Sequence, residues 1–259
     1  MDILQKIAAR AVERVAAKKQ RVSPEQMREA ALSLPVGDFP FEAALRGDDI
    51  RFICEIKKAS PSKGVIAEDF PYLAIARQYE EAGAAAISVL TEPYFFMGSE
   101  TYLQEIAEAV SLPLLRKDFT VDEYMIYEAK TLGASAVLLI CALLSPPTLA
   151  AFIAVAHRLG LSALVEAHNE EEIRMALDAG ARVIGVNNRD LKNFAVDMTV
   201  SERLRSLVPE ETLFVAESGI RGPEDVARLR EMGASAALVG ETMMRAGDKT
   251  AEMRRLLGA

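Results

Sequence analysis

Four segments of the chain repeat one pattern: Glu81–Leu90 (EAGAAAISVL), Thr131–Ile140 (TLGASAVLLI), Asp178–Asn187 (DAGARVIGVN) and Glu231–Gly240 (EMGASAALVG). In each, a helical pattern runs into Gly-Ala and a short, β-rich apolar run follows. Gly83, Gly133, Gly180 and Gly233 suit the residue just past a helix end, where a left-handed backbone costs glycine nothing. The apolar runs do not alternate strictly, as expected for strands covered on both faces. These glycines are 50, 47 and 53 residues apart. A strand–helix unit takes about 25 residues, so each interval holds two units.

The intervening strands are Arg51–Lys57, Leu114–Lys117, Ser162–Glu166 and Leu213–Ala216, each followed by a polar turn and a helical pattern. Pro71 opens YLAIARQYEEA, Asn169 precedes a helix with glutamates in its first turn, and Pro223 opens EDVARLREM. Eight strands, each followed by a helix, over about 210 residues predict a (β/α)8 TIM barrel. An open doubly wound sheet competes less well, because no G-x-G-x-x-G opens the first unit. Residues 1–48 are expected to form a helical extension packed on a barrel of residues 49–259. Ile3 to Gln20 is helically periodic, and Ser23-Pro24-Glu25-Gln26 looks like a capped helix start. The extension can plug the closed end of the barrel or lie over the open end; periodicity does not choose.

Composition narrows the function classes. The net charge of −8 over 259 residues argues against broad binding to nucleic acid or to an anionic membrane. An anionic ligand then needs a local basic cluster or backbone N–H groups. The longest unbroken apolar run, Ala136 to Leu144, is nine residues, about half a membrane span of roughly 18 or more. Asp2, Lys6 and Arg10 interrupt the N-terminus, so a soluble, cytoplasmic protein is expected. Cys54 and Cys141 imply no disulfide framework. With only His157 and His168 beside them, no metal site is expected. A monomer is the simpler expectation, with an oligomer left open.

Active sites of such barrels lie at the C-terminal ends of the strands. On the first strand Ile53, Glu55 and Lys57 share one face, while Phe52, Cys54 and Ile56 suit a helix-covered outer wall. By the same period of two, Lys117 follows Leu115, Glu166 follows Leu164, Asn187 and Arg189 follow Gly185, and Ser218 follows Ala216. A single charge at a rim can be a structural ion pair. Lys and Glu alternating in one cavity instead push their pKa values apart and keep an acid and a base ready together. Glycines in Ser218–Pro223 and Val239–Thr242 allow backbone N–H groups to approach an oxyanion. Ala59–Gly64 is a polar loop able to close over a ligand.

The stretches CEIKKASPSKG (Cys54–Gly64), LLRKDF (Leu114–Phe119), LVEAHN (Leu164–Asn169), IGVNNRDL (Ile184–Leu191), AESGI (Ala216–Ile220) and LVGETMMR (Leu238–Arg245) together resemble the indole-3-glycerol phosphate synthase family of tryptophan biosynthesis. The likeness runs over nearly the whole chain, N-terminal extension included. It implies a phosphorylated small-molecule substrate, 1-(2-carboxyphenylamino)-1-deoxyribulose 5-phosphate, and a decarboxylating, dehydrating ring closure with no cofactor. By the family pattern Lys117 is the leading general acid with Lys57 the other candidate, and Glu166 is the general base. Glu55 and Asn187 match substrate-orienting positions, and Arg189 the position near the substrate carboxylate. Ser60, Gly219, Gly240 and Glu241 match phosphate-side positions, and Phe96 and Phe119 offer faces to the aromatic ring. His168 reads as a residue of the rim or behind it. Met97 stands where glutamine is common, which is expected to touch only the rim of the pocket. Alternatives are another phosphosugar barrel enzyme, an isomerase or a Schiff-base aldolase, and a non-catalytic barrel that binds a phosphorylated ligand.

Overall fold

The computed structural model describes residues 3–190 and 194–258. Asp2 of the N-terminal stretch and Leu191 of the NNRDL motif lie outside them. Eight parallel strands close on themselves: β1 (Arg51–Ile56), β2 (Ala86–Leu90), β3 (Leu114–Lys117), β4 (Ala136–Ile140), β5 (Ser162–Ala167), β6 (Val183–Asn187), β7 (Leu213–Glu217) and β8 (Ala236–Val239). Each strand pairs with its neighbours in sequence, and β8 closes the ring against β1 through Arg51↔Ala236 to Cys54↔Val239. This is a TIM barrel, and the repeat explains how it is punctuated. Gly83, Gly133, Gly180 and Gly233 take φ values of 86°, 84°, 82° and 73°, ending their helices so that the chain turns back into β2, β4, β6 and β8.

The strands' alternation sorts the core into two layers. Ile53, Leu115, Leu138, Leu164, Val183 and Val215 fill the barrel interior. Phe52, Cys54, Ile56, Val165, Phe214 and Ala216 face the surrounding helices instead. The outer ring is α4 (Tyr72–Glu81), α5 (Glu100–Ala109), α6 (Tyr124–Thr131), α7 (Pro146–Arg158), α8 (Glu170–Asp178), α9 (Thr199–Arg205), α10 (Pro223–Glu231), the short α11 (Glu241–Arg245) and α12 (Lys249–Leu257). Their starts are capped as the sequence suggests. Asn169 accepts from the Glu172 N–H, and Pro223 sits at the first turn of α10.

The N-terminal extension serves both ends of the barrel. Helix α1 (Ile3–Lys19) buries Leu4, Ile7, Ala11 and Val15 on one stripe, and Leu4 and Ile7 reach the open mouth. Helix α2 (Pro24–Ser33) begins with the Ser23–Gln26 capping box and packs on α6. Helix α3 (Pro40–Leu45) plugs the closed end against β1, β2 and β5, and its Phe41 and Leu45 join the inner core that includes Val183, Leu213 and Ala236. The loop after β1 carries a small hairpin, Ala59–Ser60 against Gly64–Val65. Among the described residues no helix is long and apolar enough to cross a membrane.

Candidate active site

A cavity of about 470 Å3 opens at the C-terminal ends of the strands. The candidate catalytic, substrate-side and phosphate-side residues named from the sequence all line it. Glu55 and Lys57 come from β1 and its end, Lys117 from β3, Glu166 from β5, and Asn187 with Arg189 from β6 and beyond. Ser60, Phe96, Phe119, Ser218, Gly219, Gly240 and Glu241 come from the loops around them. Met97 is not among the lining residues; it is exposed, with its backbone in the left-handed region at φ 53°. The sequence expectation that it touches the rim is therefore corrected.

Strand β7 brings a second correction. Reading Ala216 and Ser218 as the inward pair is wrong by one residue: Val215 and Glu217 point inward, and Ala216 faces the helices. Ser218 reaches the cavity because its backbone turns left-handed, at φ 67°. The residue missed is Glu217, whose Oε2 lies 2.6 Å from Lys117 Nζ. Room for it comes from across the wall, since a Cβ at Gly185 would run into Glu217 Oε1. That small residue on β6 was the available signal.

The centre is a network of alternating charge. Lys117 Nζ lies between Glu217 and Glu166 Oε2, the latter at 3.4 Å, and Lys57 pairs with Glu55. Burial favours a neutral Lys117, but Glu217, Glu166 and Glu55 outweigh it, so its ammonium is held above the usual lysine range. Burial also pushes Glu166 upward, yet Lys117 and His168 dominate and bring its carboxyl down to about 2. Glu55 is likewise lowered against its burial by Lys57 and Lys117. Glu217 goes the other way. Burial, reinforced by repulsion from Glu166 and Glu55, lifts it to about 7 over the pull of Lys117. Its Oε1 is buried with no hydrogen-bond partner. A site that separates two carboxylates this far can hold one as a base and keep the other near its titration point.

Backbone loops set the walls. Buried Glu92 accepts N–H groups of Tyr94, Phe95 and Phe96 at 3.0, 2.7 and 3.1 Å, which fixes Phe96. Asp118 accepts the Phe119 N–H at 2.8 Å, and the two rings sit 6.0 Å apart, tilted by 37°. Their faces bound the side of the cavity near Lys117. On the far side Gly240 runs so close to the β1 pair that a Cβ would stand 2.7 Å from Glu55 Oε1. Thr242 Oγ1 donates to the Ile220 carbonyl at 2.8 Å and ties the β7 and β8 loops together. Lys63 lies 3.4 Å from Glu241, and Arg221 and Arg245 also line this edge, so it is the basic one. Arg189 donates to the Phe194 carbonyl at 3.2 Å, and its own N–H goes to Asn187 Oδ1 at 3.0 Å. Buried Asn188 accepts from Ser201 and donates to the Ser218 carbonyl at 3.1 Å, bracing the β7 turn. Among the described residues no group of three or more His, Cys, Asp or Glu is placed to hold a metal ion.

Comparison with known proteins agrees with this geometry. Among solved structures, 3-hexulose-6-phosphate synthase from Salmonella typhimurium superimposes with a TM-score of 0.65 at 13% identity, covering 80% of this chain and 96% of that one. A tryptophan synthase structure from Pyrococcus furiosus gives 0.61 at 16% identity, covering 83% and 100%. Both share the fold. Among curated relatives, the indole-3-glycerol phosphate synthase of Ruminiclostridium cellulolyticum is 56% identical over 258 residues, 99% of each chain. That of Endomicrobium trichonymphae is 52% identical over 255 residues, 98% of this chain and 99% of the other. The family model for indole-3-glycerol phosphate synthase matches residues 4–256, and on that span and those identities the chain belongs to the indole-3-glycerol phosphate synthase family.

Proposed function

We propose that this barrel closes the indole ring of 1-(2-carboxyphenylamino)-1-deoxyribulose 5-phosphate, releasing carbon dioxide and water, through Lys117 and Glu166. The observation that supports this most is one ammonium, Lys117, held between two inward carboxylates at the cavity mouth, beside a pair of aromatic faces. As the aromatic carbon attacks the ketone, the oxygen gains charge and takes a proton; Lys117 is the acid for that step. Loss of carbon dioxide then restores the aromatic ring. The hydroxyl leaves as water, with Lys57 at the other edge as the second ammonium, and Glu166 accepts the proton that completes the indole. Glu55 and Asn187 orient the substrate, Arg189 faces its carboxylate, and Phe96 and Phe119 flank its ring.

The phosphate belongs at the edge formed by Ser60, Gly219, Gly240 and Glu241, where Lys63, Arg221 and Arg245 supply positive charge. At Glu241 the useful group is the backbone N–H, since its carboxylate repels the ligand. Ser218 contributes through the left-handed turn that delivers Gly219. A Schiff-base aldolase needs a lysine with a depressed pKa, whereas three carboxylates raise that of Lys117. The test is indole fluorescence on mixing the chain with the carboxyphenylamino substrate and excess chelator. Metal-independent signal is expected; tight binding without signal means a non-catalytic barrel, and neither means a different substrate.

A further inference from the structure

Behind the cavity wall lies a chain of ionisable side chains that the ring closure just described leaves unused. His168 follows Ala167 at the end of β5 and precedes the Asn169 cap of α8. Glu172, in the first turn of α8, accepts the His168 backbone N–H at 2.8 Å and meets the ring Nδ1 at 3.0 Å. Its other oxygen takes the Asn169 side-chain amide at 3.0 Å. The imidazole is thus fixed at its root and at one ring nitrogen. Its Nε2 is buried and stands 3.3 Å from Glu166 Oε1, an ion-pair contact and its nearest polar partner, without a well-formed hydrogen bond.

Every element packed here faces the same pair. Lys117 on β3 lies 3.4 Å from Glu166 Oε2, with Glu217 on β7 and Glu55 on β1 behind it. Asn187 on β6 bonds Glu166, and Cys141 after β4 donates its thiol to the Glu172 carbonyl at 3.6 Å. Glu166 therefore has a cation on each oxygen, Lys117 on one and His168 on the other. Each carboxylate oxygen carries two lone pairs, so this clamp spends one per oxygen, and with the Asn187 bond one lone pair is left for a substrate. A carboxylate held by Lys117 alone swings toward the ammonium that must also serve as the acid.

We propose that His168 and Glu172 are positioning residues for Glu166: Glu172 fixes the plane of the imidazole at its Nδ1–H, and His168 Nε2–H holds Glu166 Oε1 so that the carboxylate keeps one face toward the departing proton. The inference rests on Glu166 being the base. Two consequences separate it from plain structural support. The clamp acts on turnover and not on substrate affinity, because neither residue lines the cavity. It also keeps Glu166 ionised, so losing it moves the acid limb of kcat toward neutral pH.

The chain has two histidines, His157 and His168, so an imidazole NMR titration assigned with His157→Gln reads His168 directly. We expect its signal to stay in the protonated form through neutrality and to lose that in Glu172→Gln. In the full chain acting on the carboxyphenylamino substrate, His168→Ala lowers kcat about tenfold to a hundredfold with KM little changed, the range over which orienting partners of a catalytic ligand act. His168→Gln, which keeps a donor, recovers part of the loss. Glu172→Gln gives a smaller loss that does not add to that of His168→Ala. Wild-type kcat and an unmoved acid limb in both His168→Ala and Glu172→Gln, with Glu166→Gln inactive, overturn the clamp and leave the base reading standing. Near-normal turnover in Glu166→Gln overturns both. A kcat loss that tracks a lower Tm, with an unmoved acid limb, also overturns the proposal.

Discussion

Arg116 and Lys117 are neighbours on β3 and face opposite ways, and the two charge networks around them differ in kind. Arg116 is 1% exposed and balanced in charge: Glu100 at 2.6 Å, Glu128 at 2.9 Å, and Asp118 at 3.5 Å surround it. Two cations of α1 complete the set, with Arg14 on Asp118 at 2.7 Å and Lys18 on Glu128 at 2.6 Å. Lys117 and Lys57 instead sit among three carboxylates, Glu55, Glu166 and Glu217, which outnumber them. The period of two in a strand is enough to put charge spent on holding the fold next to charge kept available for chemistry. Balanced charge is found on the helix side, and unbalanced charge on the side a ligand enters.

Substitutions at the two positions should therefore fail in opposite ways. Lys117→Met should lower kcat by about 10²- to 10⁴-fold while leaving thermal stability near wild type; a large fall in Tm would show that Lys117 is structural after all. Arg116→Met removes the central cation from two buried carboxylates, Asp118 and Glu128, and from half-buried Glu100, and should cost about 3–5 kcal/mol of stability, read by urea unfolding, while the folded fraction keeps its KM. Arg14→Ala removes one of the cations on Asp118 and should cost about 1–3 kcal/mol, because Thr91 Oγ1 and the Phe119 N–H still bond that carboxylate.

The smallest effect is a slope. Glu217 binds its proton more tightly folded than unfolded, so it contributes stability below about pH 4.5 that is lost as pH rises toward about 7. Glu166 has the opposite sign: its contribution is present above about 4.5 and lost as pH falls toward about 2. Glu217→Gln should flatten the decline in Tm across the upper window and leave the lower one. An unchanged upper slope would mean that Glu217 does not carry it.

The barrel was legible because its repeat is punctuated by residues with a single physical reading, as at Gly83 and Gly133. The inward faces of β1, β3, β5 and β6 were legible because each mixes an apolar base with a charged or amide tip. Strand β7 was not. In Leu213–Glu217 both faces are apolar up to the last residue, so alternation alone cannot say which side Glu217 takes. Arg116 was hidden for the reverse reason: an outer wall predicted to be apolar gives no cue that a buried guanidinium sits in it. Its partners lie on the neighbouring α5 and α6, and the cations that balance them come from α1, 104 and 110 residues away in sequence from Asp118 and Glu128. The destination of the N-terminal helices was equally unreadable, because a helix stripe records how much is buried and not against what.

The clasp formed by α1 and α3 has a consequence for how the chain is made. Phe41 and Leu45 precede every strand of the barrel, yet the inner core they join includes Leu213 on β7 and Ala236 on β8. The ring itself closes only when β8 meets β1. A segment made before every strand thus completes its docking only when the last strands exist, and its apolar stripes wait while the barrel is made. Such late, long-range pairing slows folding and exposes apolar surface meanwhile. The charged faces of α1 then gain a second use, keeping an unseated helix in solution until its socket exists.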